Sequence, residues 1–302
     1  MIELHRVQPS QLYLSQPKYE QHIALFATKG FDSCAPLPVK QIGADLFFTD
    51  GHTRAFILWQ QGVQTVRVYH DPDDLNWVAY LENVQNCRNN DIFSIADLKN
   101  RLVNSETYEK RWLQHCAAVQ AALRDDPLAA LQLAFIDDPD DKAAICNEVL
   151  RALPAWFGIP AAIADYTATV RDFPFLTAAL YGKVVGFCAV KPHFGINAEL
   201  YVMGIFKEFH RLGIGARLIG GIDTYCRERG IPHMSVKTLS SSHPDPHYAR
   251  TRRFYERMGF QPFEELPLWG EANPCLYMLR PVETPGSCHP QRAGGKPATR
   301  GN

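Results

Sequence analysis

The chain has 302 residues, of which 46% are hydrophobic and 21% charged, with a formal net charge of -1. That composition suits a soluble globular protein long enough for two domains. Near-neutral charge gives no general attraction to nucleic acid or anionic membrane. No apolar run approaches the ~20 residues that cross a bilayer. The opening "MIELHRVQPS" lacks the apolar centre of a signal peptide, so a cytoplasmic location is expected. Cysteines stand at positions 34, 87, 116, 146, 188, 226, 275 and 288 with no CxxC pair. That spacing opposes a zinc ribbon or a disulfide scaffold and predicts reduced, mostly buried thiols.

In chain order, "LFFTDGHTRAFILWQQG" at 46–62 predicts a strand, a tight turn and a helix. The turn gathers Asp50, Gly51, His52 and Arg54 at a helix start, where unpaired amides favour an anion. The alternative is Asp50 as a helix cap, with Arg54 paired to the acidic run "HDPDD" that follows. "NWVAYLENVQNC" and "IADLKNRLVNSETYEKRWLQHC" read as two amphipathic helices. "LRDDPLAA" at 123–130 marks a boundary between residues 1–124 and 125–282. "ALQLAFI" reads as a strand, and "IDDPDD" ends it with an Asp cap for the helix "DKAAICNEVLRAL". A second helix opens at Pro160. "FLTAAL" and "VVGFCAV" flank the turn "YGK" as a hairpin. "AELYVMGIF" is a strand, "RLGIGARLIGGIDTYCRERG" a long helix closed by Gly230, "HMSVKTL" a strand, "ARTRRFYERMG" a helix and "PCLYMLR" a last strand. This mixture predicts an α/β (α+β) fold, an open sheet flanked by helices and preceded by a smaller α/β part. Residues 283–302, rich in Gly, Pro and polar types, predict a disordered tail.

The turn "HRLGIGA" at 210–216 joins a strand to a helix. Leu218 stands where a dinucleotide fingerprint needs a third small residue, and Ala216-Arg217 replaces the Lys-Ser/Thr of a P-loop. What remains is an anion site at a helix N-terminus: bare amides, the helix dipole, and glycines that let phosphate approach. Physical chemistry alone reaches a diphosphate-like ligand, with Arg211 and Arg217 near enough in sequence to add charge.

The stretch "ELYVMGIFKEFHRLGIGARLI" resembles motif A of the GNAT N-acetyltransferase superfamily, and "ARTRRFYERMGF" resembles its motif B. The resemblance covers 125–282. It implies a mixed open sheet, acetyl-CoA as co-substrate, and transfer of an acetyl group to a primary amine by direct attack in a ternary complex. It further implies pyrophosphate contacts from Arg211, Leu212, Gly213, Ile214, Gly215 and Ala216, and pantetheine and oxyanion contacts from Met203, Gly204 and Ile205. Glu199 falls where several members keep a catalytic base, and Tyr255 where the family places an acid for the leaving thiolate. Each has a plainer alternative: Glu199 as a polar strand residue, Tyr255 as a packed aromatic. His210 departs from the usual Gln or Arg, and Tyr248 and Thr251 from the usual Asn and Ala of motif B. Trp156 and Phe157 are candidates for the acceptor pocket. His243 and His247 in "HPDPH" read as loop residues, and no metal is expected.

Residues 1–80 resemble the ParB/sulfiredoxin-like superfamily. That resemblance implies a nucleotide phosphate site at Asp50, Gly51, His52 and Arg54, and with it the alternative of a nucleotide-responsive binding or regulatory protein whose second half is not catalytic. Nucleic acid is not an expected partner. The acceptor amine is not encoded in any motif, and a homo-oligomer stays open.

Overall fold

The computed structural model describes residues 1–270 and 272–282, so the tail expected at 283–302 and Cys288 lie outside the described residues. The N-terminal part holds α1 (Gln16–Lys29), β1 (Leu37–Ile42), β2 (Asp45–Phe48), α2 (His52–Gln60), β3 (Val68–His70), α3 (Trp77–Asn89) and α4 (Gln114–Asp125). β1, β2 and β3 form a three-stranded sheet in the order β2-β1-β3. The segment expected as one helix over 95–116 is broken. Ile95–Asn100 is a 3-10 turn with a Ser94/Asp97 capping box, Leu102–Val103 pairs as a strand with Leu14–Ser15, and helix restarts under the Asn104 cap. Two local caps and a strand partner outweigh helical periodicity there.

The second part contains β4 (Leu131–Ile136), α5 (Pro139–Arg151), α6 (Pro160–Thr169), β5 (Phe175–Leu180), β6 (Lys183–His193), β7 (Asn197–Ile205), α7 (Ile214–Glu228), β8 (His233–Leu239), α8 (Pro246–Arg257), β9 (Gln261–Leu266) and β10 (Cys275–Pro281). Among the described residues these strands form a seven-stranded sheet in the order β9-β10-β8-β7-β6-β5-β4. Only β7 and β8 run parallel; every other neighbouring pair is antiparallel. β9 was not expected from the sequence: "QPFEEL" is almost wholly exposed, so it carries none of the apolar alternation that marks a half-buried strand.

Local chemistry explains the element ends. Asp138 accepts the amides of Asp140 and Asp141 to open α5, and Asp245 accepts those of His247 and Tyr248 to open α8. α7 closes as foreseen, with Gly230 left-handed at φ 65° and the Ile231 amide donating to the Cys226 carbonyl at 2.9 Å, the Schellman arrangement.

The two parts share one hydrophobic core, which joins Ile42, Phe47, Trp77, Val78, Leu81 and Val84 to the residues under the large sheet. A second core lies wholly within the N-terminal part. Polar links border the seam. Lys183 reaches Glu148 at 2.9 Å and Asp45 at 3.2 Å, Glu148 accepts the Ala44 amide at 2.6 Å, and Lys40 meets Glu208 at 2.8 Å. Burial pushes the Asp45 carboxyl up, but Lys183 and Arg88 outweigh it and hold the group below its ordinary value. Cys87, Cys146, Cys188, Cys226 and Cys275 are buried free thiols, and Cys34 and Cys116 are partly buried free thiols.

Candidate functional site

The site begins with a single surplus residue. β6 pairs Ala189 with Val202 and then Val190 with Leu200, leaving Tyr201 unmatched. Such a bulge bends its strand and increases its twist. The parallel pairing of β7 with β8 ends at Leu200 and Val236, at the same place. Beyond it, Tyr201 to Ile205 and Lys237 to Leu239 diverge and open a wedge in the sheet.

Antiparallel alternation decides which backbone groups face the wedge. Phe206 donates its amide to Val185 at 2.9 Å. Val202 and Gly204, two and four residues earlier, therefore direct their amides and carbonyls toward β6, and Met203 and Ile205 direct theirs into the wedge. Of the three residues expected there, Met203 and Ile205 line the opening with backbone. Gly204 instead faces α5, where a Cβ would lie 2.8 Å from Val149.

The loop after β7 supplies amides. Arg211 has φ 65° and Gly213, the N-cap of α7, has φ 95°. These left-handed turns present the amides of Arg211 through Ala216, which donate to no protein acceptor among the described residues. The first ring closure of α7 is the Arg217 amide to the Gly213 carbonyl at 3.2 Å. Gly215 is needed for packing: a Cβ there would meet Phe254 of α8 at 2.9 Å. The expected residues 211–216 thus form one amide-rich rim at a helix N-terminus beside the wedge. His210 is not part of that rim, because its Nε2 is held 2.7 Å from the Ile205 carbonyl oxygen. Burial lowers the His210 pKa, partly offset by that hydrogen bond.

Glu199 lies on β7 just before the bulge and is 3% exposed. His193 Nε2 stands 2.7 Å from its Oε2, and Lys237 donates to its Oε1 at 2.9 Å. The solvent-facing strand carboxylate weighed from the sequence is therefore corrected: this is an inward carboxylate holding two basic partners. Tyr255, 7% exposed, packs against Phe254 and Phe260. Its hydroxyl has no hydrogen-bond partner among the described residues. Burial above all, with Cys188, Tyr248 and Tyr166 nearby, raises the phenol above its ordinary value, so it is held protonated.

Sequence reasoning undervalued Trp156. Its indole donates to Thr251 Oγ1 at 3.2 Å and its carbonyl accepts from the Tyr248 hydroxyl at 2.9 Å. Its ring lies edge-on to His210 at 5.5 Å and to His247 at 4.9 Å. The two motif B departures, Tyr248 and Thr251, thus hold Trp156 by its backbone carbonyl and its indole respectively. No spacing rule reveals that, because the partners lie 92 and 95 residues away. His247 is also not a loop residue: Pro246 sits in the first turn of α8, where proline is tolerated, and His247 follows it. Among the described residues no group of three His, Cys, Asp or Glu is placed to hold a metal, and no helix is long and apolar enough to cross a membrane.

In the N-terminal part, a cavity of about 230 Å³ is lined by Lys18, His22, Asp50, Gly51, His52 and Arg54 among others. Gly51, left-handed at φ 79°, is the N-cap of α2, so the Asp50 cap is corrected; Asp50 is 80% exposed in its side chain and lies 3.7 Å from Arg54. Arg54 does not reach the acidic run at 70–74, where Asp71 instead accepts from Thr49 at 2.5 Å. His52 is 3% exposed. Its Nε2 accepts the Ser10 amide at 3.0 Å, its Nδ1 is buried without a partner, and burial pushes its pKa down to about 4.

Residues 171–262 match the family model described as the acetyltransferase (GNAT) domain. The match starts at 171, so it lends no support to the ParB/sulfiredoxin-like resemblance of residues 1–80. No curated protein matches the chain. Among solved structures, the chain is similar to a GNAT-family protein from Desulfovibrio desulfuricans, at 20% identity and TM-score 0.45, over 51% of this chain and 100% of that one. It is also similar to the ribosomal-protein-S18-alanine N-acetyltransferase of Escherichia coli, at 16% identity and TM-score 0.40, over 52% of this chain and 97% of that one. A third is the aminoglycoside 6'-N-acetyltransferase of Enterococcus faecium, at 16% identity and TM-score 0.40, over 51% and 98%.

Proposed function

We propose that the chain is an N-acetyltransferase that uses acetyl-CoA to acetylate a primary amine by direct attack. The observation that carries this is the rim of unpartnered amides at 211–216 beside a wedge lined by the Met203 and Ile205 backbone. Bound acetyl-CoA supplies an activated thioester. The rim amides and Arg211 would hold its diphosphate, and the Met203 and Ile205 backbone would hydrogen-bond its extended arm like an added strand. A Met203 or Ile205 amide would stabilise the developing oxyanion. Tyr255, kept protonated by burial, would donate to the departing sulfur. Glu199 and its two basic partners would handle the proton of the incoming ammonium. Calorimetry with acetyl-CoA tests the reading: binding at micromolar concentration is expected, and its absence at high micromolar concentration ends it. Release of coenzyme A across a panel of amines then identifies the acceptor.

A second, regulatory reading would have the N-terminal part take an anionic ligand in the cavity lined by Lys18, His22 and Arg54. Thermal shift with CTP and ATP tests it: a response lost in Arg54→Ala supports it, and no response in the wild-type chain removes it.

A further inference from the structure

The acetyl transfer proposed above has a proton to export: a protonated amine and a thioester yield an amide, a thiol and one surplus proton. Glu199 is a poor terminus for that proton. It is buried, and each of its oxygens already holds a hydrogen bond. Lys237 is a cation and cannot accept. His193, with a side chain 32% exposed, is the one member of the cluster that can both accept a proton and meet solvent.

The geometry points to His193 as the proton-accepting residue of the reaction, with Glu199 as the residue that positions it. A carboxylate 2.7 Å from Nε2 requires the hydrogen on Nε2, because a carboxylate only accepts. The lone pair of neutral His193 then sits on Nδ1, which has no hydrogen-bond partner among the described residues. This is the logic of a base oriented and electrostatically supported by a buried acid. The balanced step moves the ammonium proton to His193 Nδ1, directly or through water. Glu199 stays ionised opposite the imidazolium, and His193 afterwards returns the proton to bulk solvent. Lys237 fixes the second carboxylate oxygen and keeps Glu199 turned toward His193.

Strand alternation and register place the surroundings on the same sheet face. Lys191 lies opposite Glu199, Asn197 opposite His193, Ser235 opposite Glu199 on β8, and Tyr277 opposite Lys237 on β10. Asn197 donates to Ser235 at 2.8 Å. Tyr201 faces Tyr166 of α6. The charged groups on these elements around His193 are Lys191, Lys237 and Glu199, and Glu199 is the one within hydrogen-bond distance of its ring.

Two amines separate this role from a structural one. Ethylamine is an ammonium at neutral pH and must lose a proton before attack; hydroxylamine is already a neutral nucleophile. Coenzyme A release from acetyl-CoA is followed with each amine in the wild-type chain, His193→Gln and Glu199→Gln. His193→Gln is expected to lose about 100-fold or more with ethylamine and to stay within a few-fold of wild type with hydroxylamine. Equal losses with both amines, or a loss in Glu199→Gln without one in His193→Gln, overturn the assignment. Nitrogen-15 NMR of His193 gives an answer even if ethylamine proves a poor acceptor: a neutral ring protonated on Nε2 is required, and one protonated on Nδ1 refutes the role. Calorimetric acetyl-CoA binding in all three proteins keeps the outcomes apart, since binding without His193 dependence sinks this inference alone, whereas no wild-type binding sinks the acetyltransferase reading.

Discussion

Arg211 and His52 show how far single side chains can be judged from their surroundings. Arg211 adopts φ 65°, a left-handed conformation that costs a non-glycine residue about 1 kcal/mol or more. It is also a cation on the amide rim. Arg211→Gly is expected to raise the melting temperature while weakening acetyl-CoA binding; calorimetry and thermal denaturation of one variant read both changes. The motif located Arg211 but gave no hint of strain, since a dihedral angle has no sequence signature. His52 was legible as a residue at a helix start, and misleading for the same reason. It turns inward, and with a folded pKa of about 4 it stays neutral where the unfolded chain takes up a proton. The depressed value places its stabilising effect above pH 6.5, lost as pH falls toward 4. Stability should therefore drop by about 2 kcal/mol from pH 7 to pH 5 through this group. Urea titrations at the two pH values should show that drop, reduced in His52→Phe.

Elements were readable wherever one face is buried. Both hairpin strands "FLTAAL" and "VVGFCAV", the strand "HMSVKTL" and the glycine-closed helix α7 lie where apolar periodicity and caps put them. β9 escaped because exposure erases the pattern, and the segment over 95–116 escaped because local capping competes with periodicity. The wedge was half legible. The strand and the loop were recognisable, but a bulge is a fact of pairing, and neither strand's own sequence shows which residue its neighbour leaves unmatched. α7 and α8 depend on each other through Gly215. Gly215→Ala would push a methyl onto Phe254, 2.9 Å away. An overpacking cost of roughly 1–3 kcal/mol is expected, together with displacement of the rim amides. Chemical denaturation and acetyl-CoA titration of the variant check both; an unchanged midpoint would show that Phe254 yields freely.

On the scale of the molecule, length and composition forecast a chain long enough for two domains, with a boundary expected near residue 125. Energetically the parts are joined, because Trp77, Val78 and Leu81 of α3 belong to the core of the large sheet. Removing residues 1–124 would bare that apolar surface and leave Glu148 and Lys183 without Ala44 and Asp45. The fragment 125–282 is expected to aggregate or to melt without a sharp transition, whereas the intact chain melts cooperatively. Circular dichroism during heating of both chains decides it. Such sharing is invisible to a linear reading, since Ile42 or Trp77 has the same apolar signature whichever core receives it.

Tyr201 carries a last implication. Because β7 holds one residue more than β6 can match, odd-numbered side chains share a face before it and even-numbered ones after it. Excising that one residue would leave a ladder without interruption, free to continue zipping against β8. The shortened polypeptide would gain hydrogen bonds and lose its cleft, a firmer protein without the opening in which the proposed thioester would sit.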